Sequence, residues 1–282
     1  MRRVRDKVRR FAGGRQLARL YGTLRARGVA LRNRLRYGSA DFFNDLNIEV
    51  NTSCNRRCSY CPNSVFDRGL IRNERLMDEE LFAKILDDLA AIRFDGRISP
   101  HFFGEPLLHP RLPKLVRLIR ERLPKAEVVI VSNGDNLCVE KYEELAEAGV
   151  TSFDITEHGR KAKPGMAELL EHYRMRPGRA RIDYSKFNDE TPLHNRGGLV
   201  APETVSRVPR CAQPRNPLVI DWKGDVLLCC NDYRGEVVFG NVADQNLVDI
   251  WHSPEFRKVR RELRAGDYRL AICRRCVGIE EG

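Results

Sequence analysis

The chain has 282 residues, 42% of them apolar and 32% charged, which permits a buried core and excludes a disordered or low-complexity chain. The net charge of +11 is unevenly placed: residues 1–40 hold 13 Lys or Arg against a single acidic residue, Asp6, while the remaining 37 basic and 38 acidic residues nearly cancel. The body therefore carries no excess charge that would favour nucleic acid as a partner, and the basic character belongs to an N-terminal arm.

In the arm, residues 1–44, apolar side chains recur at roughly helical spacing: Val4, Val8, Phe11, Leu17, Leu20, Tyr21, Leu24, Leu31 and Leu35. Gly13-Gly14 interrupts them, so two short amphipathic helices are expected. Either these helices pack on the body with their arginines in solvent, or they contact anionic lipid, nucleic acid or a protein partner. No apolar run reaches the length of a signal-peptide core or a membrane span, so a cytoplasmic chain without a span is expected.

From Leu46 onward, strand and helix patterns alternate. Leu46–Val50 predicts a strand, and Asp78 to about Ile92 a helix with its start at Met77-Asp78-Glu79-Glu80. Arg97–Phe103 predicts the next strand and Pro110–Arg122 its helix; Glu127–Ser132 a buried strand and Glu140–Ala148 a helix. Val150–Thr156, then a helix over Pro164–Tyr173, then Ala180–Tyr184 complete five strands. Such alternation argues an α/β fold, a partial six-stranded parallel (β/α) barrel over residues 45–200 whose functional groups collect at the strand C-terminal ends.

Directly after the first strand come Cys54, Cys58 and Cys61, three thiols within eight residues. Three thiolates can hold three irons of a [4Fe-4S] cluster and leave the fourth open to a substrate or cofactor. A structural zinc site would want a fourth ligand nearby, and disulfides are disfavoured in a reducing compartment. The spacing C-x3-C-x2-C, with Tyr60 just before the last Cys, resembles the radical S-adenosylmethionine (SAM) superfamily. That resemblance implies that the open iron chelates SAM, whose reductive cleavage gives a 5′-deoxyadenosyl radical that removes hydrogen from a substrate. It also implies a flavodoxin- or ferredoxin-type electron donor.

Three strand ends extend the resemblance. Phe103-Gly104-Glu105-Pro106 resembles the family's Gly-Gly-Glu-Pro segment, with Phe103 in place of the first Gly, and implies contact with the SAM ammonium. Ser132-Asn133-Gly134 resembles the segment that meets the SAM ribose and carboxylate, and Asp154 lies in a strand whose end, with Thr156, Glu157 and His158, lines the substrate side of SAM in relatives. His158 is either a proton donor or acceptor or a polar residue at the loop mouth; Glu157 is either a substrate contact or a solvated carboxylate.

Residues 201–282 are expected to form a small C-terminal iron–sulfur domain. Asp221-Trp222-Lys223-Gly224-Asp225, Gly240-Asn241-Val242, Ile250-Trp251 and the ending Cys273-Arg-Arg-Cys276 resemble the SPASM or twitch extension. The resemblance, which spans residues 46–278, implies Cys211, Cys229, Cys273 and Cys276 as the ligands of one auxiliary [4Fe-4S] cluster, hence two clusters in all. Cys138 and Cys230 are left over. Cys230, beside the auxiliary cluster, is either a small buried side chain or a hydrogen-atom donor to a substrate radical, and Cys138 poses the same choice. Arg196, in Pro192-Leu193-His194-Asn195-Arg196-Gly197-Gly198, is either a clamp for substrate hydroxyls or a structural arginine.

A small-molecule substrate is expected, sugar-like and polyhydroxylated, because the chain resembles the aminoglycoside and aminocyclitol branch of the superfamily, whose members epimerise or dehydrogenate. A peptide-modifying enzyme and a non-enzymatic iron–sulfur electron carrier are the alternatives. Nothing in the sequence sets the oligomeric state.

Overall fold

The computed structural model describes residues 14–159, 163–175, 177–188, 191, 193–200, 210–211, 213 and 217–279. It divides into two compact units, Met1–Phe42 and Phe43–Gly282. In the first unit one helix, α1 (Gly14–Tyr37), covers the second of the two expected helices; Val4, Val8 and Phe11 lie outside the described residues, as do the side chains of Leu17, Leu20 and Tyr21. After α1 the chain turns back at Gly38, so that Asn33 Nδ2 donates to the Phe42 carbonyl (3.1 Å) and Tyr37 stacks on Phe42 with ring centres 4.2 Å apart.

The second unit is an α/β fold around one mostly parallel sheet. Its strands are β1 (Asp45–Ile48), β2 (Arg97–Ser99), β3 (Glu127–Ser132), β4 (Ser152–Glu157), β5 (Arg181–Lys186), β6 (Leu218–Ile220), β7 (Asp225–Leu227) and β8 (Val238–Asn241). The order across the sheet is β5-β4-β3-β2-β1-β6-β7-β8. Strands β1 to β6 run parallel, and the hairpin partners β7 and β8 extend the sheet antiparallel. Crossovers are made by α2 (Glu79–Ala91), α3 (Leu112–Arg122), α4 (Val139–Ala148) and α5 (Pro164–Met175), and the C-terminal segment ends in α6 (Leu247–His252), α7 (Pro254–Ala265) and α8 (Ala271–Val277).

Local chemistry explains several boundaries. Asp78 caps α2, its carboxylate accepting the Glu80 and Leu81 N–H groups at 2.8 and 3.1 Å, so the helix begins where the sequence predicts. Strand β3 has the expected bounds because Val128, Val129 and Ile130 are all buried, as a strand covered on both faces requires. Strand β2 is shorter than predicted. His101 N–H bonds back to the Ser99 carbonyl (2.9 Å), a tight turn that releases residues 101–105 from the ladder.

The sixth parallel strand comes from an unexpected place. The sequence pattern ends the barrel near residue 200, yet β6 lies at Leu218–Ile220 and pairs with β1 in the register Leu46↔Leu218, Asn47↔Val219, Ile48↔Ile220. The C-terminal segment thereby covers the free edge of β1, and Leu46, Ile48, Leu218, Val219 and Ile220 are all buried there. A chain ended after Val200 would expose that edge and its apolar faces. Such a fragment is expected to elute as aggregate in size-exclusion chromatography; a monodisperse folded fragment would show that β6 is dispensable.

Candidate active site

The C-terminal ends of β1 to β4 open into one cleft of about 330 Å³, the placement expected of a parallel α/β sheet. Its lining joins the loop after β1 (Cys54, Arg56, Cys58, Tyr60, Cys61), the segment after β2 (His101 to Phe103, and Glu105), Ser132 and Asn133 after β3, and Thr156 and His158 at the end of β4. From the C-terminal half of the chain come Arg196 and Cys230. Residues more than 170 positions apart in sequence thus share one wall.

Glu105 organises this end of the sheet. Its backbone N–H donates to the Ser53 carbonyl (2.7 Å) and its carbonyl accepts from Asn51 Nδ2 (3.1 Å). Its buried carboxylate accepts from Ser132 Oγ (2.7 Å), Asn133 N–H (2.9 Å) and Leu107 N–H (3.1 Å). Burial pushes the carboxyl pKa up, and the three donors oppose that shift. A carboxylate has about four acceptor sites, so one remains for a cation in the cleft. Pro106, buried, starts the short 3₁₀ turn that follows. Gly104 lies so close to the cysteine loop that an added Cβ would sit 2.0 Å from the Asn51 carbonyl oxygen.

The cysteine loop is also pinned from the β3 side. Arg56 forms a bidentate pair with Asp135 (Nε 2.6 Å, Nη2 2.5 Å), and across the same gap Asn55 Nδ2 donates to Asp135 Oδ2 while Asn55 Oδ1 accepts from Asn133 Nδ2, each at 2.9 Å. The Asn133 side chain is thus engaged with the loop that holds the cysteines. On the opposite rim Tyr60 stacks on Phe187 (4.4 Å) and shares a short hydrogen bond with His158 Nδ1. His158 is held below the usual imidazole range by burial and the Arg56 charge, so it is neutral near pH 7. Asp154 is on the same face of β4 as Thr156 but is not among the lining residues, and Glu157 points its carboxyl to the Tyr184 hydroxyl on the other face, buried rather than solvated.

Sequence reasoning missed the ring of Phe103 in this wall, and it missed Asp135 and Phe187 as the partners of the lining residues Arg56 and Tyr60. Phe103 packs edge-on against Tyr233 (4.6 Å), with the Arg196 guanidinium 5.8 Å from its ring centre. Arg196 has φ 51°, left-handed for a non-glycine residue, a conformation costing on the order of 1–2 kcal/mol. Its Nη1 donates to Asn231 Oδ1 (3.1 Å), while its buried Nε–H has no acceptor among the described residues.

The adjacent cysteines part company. Cys229 joins Cys211, Cys273 and Cys276 around a separate small apolar pocket, with Leu228, Leu263, Tyr268 and Ile272, whereas Cys230 lines the large cleft and donates to Gln213 Oε1 (3.7 Å). Cys138 is at the N-terminus of α4, and Pro192 lies outside the described residues.

Both cysteine groups have a donor set suited to iron–sulfur clusters. Burial raises Cys54 to about 11 and Cys273 to about 12, and raises Cys61, Cys211 and Cys229, so a bare thiolate is disfavoured and a metal is the natural compensation. Backbone N–H groups two residues on point at the sulfurs: Arg56 to Cys54 and Asn231 to Cys229, each at 3.4 Å. Such bonds to cluster sulfurs are a known lever on cluster potential. Asn231 Nδ2 also donates to Cys276 Sγ (3.7 Å). Among the described residues, no three His, Cys, Asp or Glu side chains converge on a single metal ion.

Comparison with known proteins agrees with this geometry. The Radical SAM superfamily model matches residues 48–177, and a SPASM model, an iron–sulfur cluster-binding domain, matches residues 211–277. The chain belongs to the radical SAM superfamily and carries a SPASM domain; its cofactors are SAM, a [4Fe-4S] cluster and auxiliary iron–sulfur. It is 35% identical over 242 residues to the S-adenosyl-L-methionine-dependent 2-deoxy-scyllo-inosamine dehydrogenase of Niallia circulans, covering 84% of this chain and 94% of that protein. The crystal structure of BtrN in complex with AdoMet and 2-DOIA superposes with TM-score 0.72 at 33% identity, over 82% of this chain and 92% of that one. A shorter match, 38% identical over 111 residues, is to the tungsten-containing aldehyde ferredoxin oxidoreductase cofactor-modifying protein of Pyrococcus furiosus; it covers 37% of this chain and 28% of that protein.

Gly104→Ala tests the close packing at the centre of the site. Because the clashing atom is backbone, β1 and the cysteine loop must shift, and a destabilisation of at least about 2 kcal/mol is expected in urea unfolding, with loss of iron on reconstitution. An alanine variant as stable and iron-loaded as the parent would show that the loop can yield.

Proposed function

We propose that this radical SAM enzyme oxidises a secondary alcohol of a polyhydroxylated ring, an aminocyclitol-type small molecule. The observation that carries this proposal is the convergence on one cleft of Cys54, Cys58 and Cys61, the β2 and β3 ends, and Arg196. The similarity to a dehydrogenase of 2-deoxy-scyllo-inosamine along 94% of that protein's length supports the substrate class.

In this proposal Cys54, Cys58 and Cys61 hold the cluster that binds SAM, and Cys211, Cys229, Cys273 and Cys276 hold one auxiliary [4Fe-4S] cluster. When bound, these groups supply a 5′-deoxyadenosyl radical for hydrogen abstraction and an acceptor for the electron released. Tyr60, Glu105, Ser132 and Asn133 form the SAM side, with Gly104 and Pro106 flanking Glu105 outside the cleft lining, and the remaining acceptor site of Glu105 suits an ammonium; Asp154 has no part in that wall. Arg196 orients the substrate: its Nε–H, without an acceptor among the described residues, donates to a ring hydroxyl oxygen, and its charge eases loss of that hydroxyl's proton. The ketone would result once the carbon-bound hydrogen atom has gone to the radical, the hydroxyl proton to the neutral imidazole of His158 in the same cleft, and one electron to the auxiliary acceptor. Phe102, Phe103 and Tyr60 keep the cleft wall apolar and limit water at the reacting carbon. The enzyme is expected to work in the cytoplasm with a flavodoxin- or ferredoxin-type donor.

A second reading rests on Cys230, whose thiol lines the same cleft. A thiol S–H is weak enough to return a hydrogen atom to the opposite face of a carbon radical, which would make the product an epimer and leave a Cys230 thiyl radical to be restored to the thiol by one electron from the external donor and a solvent proton. Burial raises the Cys230 pKa while the Arg196 charge opposes the shift, and the group stays a thiol at neutral pH, the form that carries the hydrogen.

Two measurements bear on these assignments. Anaerobically reconstituted protein is expected to hold about eight iron and eight sulfide per chain, and the Cys54→Ala/Cys58→Ala/Cys61→Ala variant about half of that with no 5′-deoxyadenosine formed. Continued 5′-deoxyadenosine production by that variant would falsify the assignment of the triad. Turnover in D2O separates the two outcomes: the dehydrogenase gives a product two hydrogens lighter without deuterium at the abstracted carbon, and Cys230→Ala stays active. An isomeric product carrying solvent deuterium, lost in Cys230→Ala although 5′-deoxyadenosine still forms, would establish the epimerase instead.

A further inference from the structure

The first unit has no part in the chemistry above, yet its surface is specific. Helix α1 has seven arginines and neither Asp nor Glu in 24 residues. Leu24, Leu31 and Leu35 are 57%, 60% and 80% exposed. At 3.6 residues per turn these three fall within about 40° of arc, a single stripe along the helix. Arg27 and Arg34 flank it on one side and Arg32 on the other, each about 60–80° away, and all three are exposed. Asn33 is on the opposite side, buried and bonded to the Phe42 carbonyl, so the leucine stripe is the face turned outward from this unit's own tail.

We propose that α1 binds the surface of a bilayer containing anionic phospholipid, with the leucine stripe in the headgroup and acyl boundary and the flanking arginines on lipid phosphates. An exposed apolar stripe bordered by arginines is the pattern of an interfacial helix. Nucleic acid would use the arginines and leave the leucines in water. A second copy of the helix is opposed by charge: with Leu24 and Leu31 at d and Leu35 at a, Arg27 and Arg34 occupy g and Arg32 occupies e, so paired helices would set arginine against arginine at the positions that select partners. Only a surface both apolar and negative accounts for leucines and arginines together. Among the described residues no helix is long and apolar enough to cross a membrane, so the contact is peripheral.

Flotation of the full-length protein with vesicles tests this. Recovery with vesicles of phosphatidylglycerol and phosphatidylcholine is expected to exceed recovery with phosphatidylcholine alone by at least about tenfold, and to fall as salt rises. Arg27→Gln/Arg32→Gln/Arg34→Gln is expected to lower the partition coefficient by on the order of 100-fold, from three basic residues near the surface. Leu24→Ala/Leu31→Ala/Leu35→Ala is expected to lower it by at least about tenfold. Alanine favours the helix, so that loss cannot be ascribed to an unfolded arm, and unchanged iron content reports an intact body. The proposal is overturned if wild type fails to float with the anionic vesicles, or if the leucine variant floats as wild type does. It is also overturned if wild type binds duplex nucleic acid more tightly than vesicles and the leucine variant retains that binding.

Discussion

The buried carboxylate and backbone of Glu105 are the constraint on which the site depends. Through five hydrogen bonds this one residue ties the loop after β1, the turn after β2 and the start of the loop after β3 into a single rigid edge. Each partner is itself buried or nearly so, and a buried donor left without its acceptor costs about 1–3 kcal/mol, so the three loops hold or fail together. The cysteine loop inherits its position from that edge. Gly104 permits the approach, since only a residue without a side chain can stand so close to the Asn51 carbonyl.

A second tie closes the loop from the other side. The Arg56–Asp135 pair is largely shielded from solvent and bidentate, the geometry in which an ion pair adds direction as well as attraction. Between Glu105 and Asp135 the segment Asn51–Cys61 is fixed at both margins, and the three thiols are presented to the cleft without any regular secondary structure of their own. Precision here comes from polar contacts rather than from a helix or strand.

Strand β6 links the two halves of the chemistry. Because it pairs with β1, at the centre of the sheet, and β7 pairs with it in turn, Cys229 and Cys230 follow directly on a strand of the same sheet whose strands β1 to β4 end at the cleft. Asn231 accepts from Arg196 and donates to Cys276, so the cleft and the auxiliary cysteine pocket share a wall one side chain thick. The auxiliary cysteine pocket therefore lies in the same compact unit as the cleft, which is what the proposed oxidation would require of an electron acceptor.

Local signals were legible without a structure. Periodicity found the five strands up to β5 and their helices, the capping aspartate marked the start of α2, spacing marked the group Cys54, Cys58 and Cys61, and the family resemblance gathered the four C-terminal cysteines that the structure places around one pocket. Of the residues that resemble the superfamily's strand-end motifs, Phe103, Glu105, Ser132, Asn133, Thr156 and His158 line the cleft, whereas Gly104, Pro106, Gly134, Asp154 and Glu157 do not. What the sequence could not supply were the pairings made across long stretches of chain: β6 beside β1, Asp135 on Arg56, Phe187 on Tyr60, and Cys230 facing the cleft while its neighbour Cys229 faces the other way. A three-residue apolar run such as Leu218–Ile220 is too short to register as a strand by period alone, and an aspartate after a turn resembles any other. Their partners are chosen by which strands become neighbours in the sheet, and that order is decided by burial of the whole core rather than by the residues on either side.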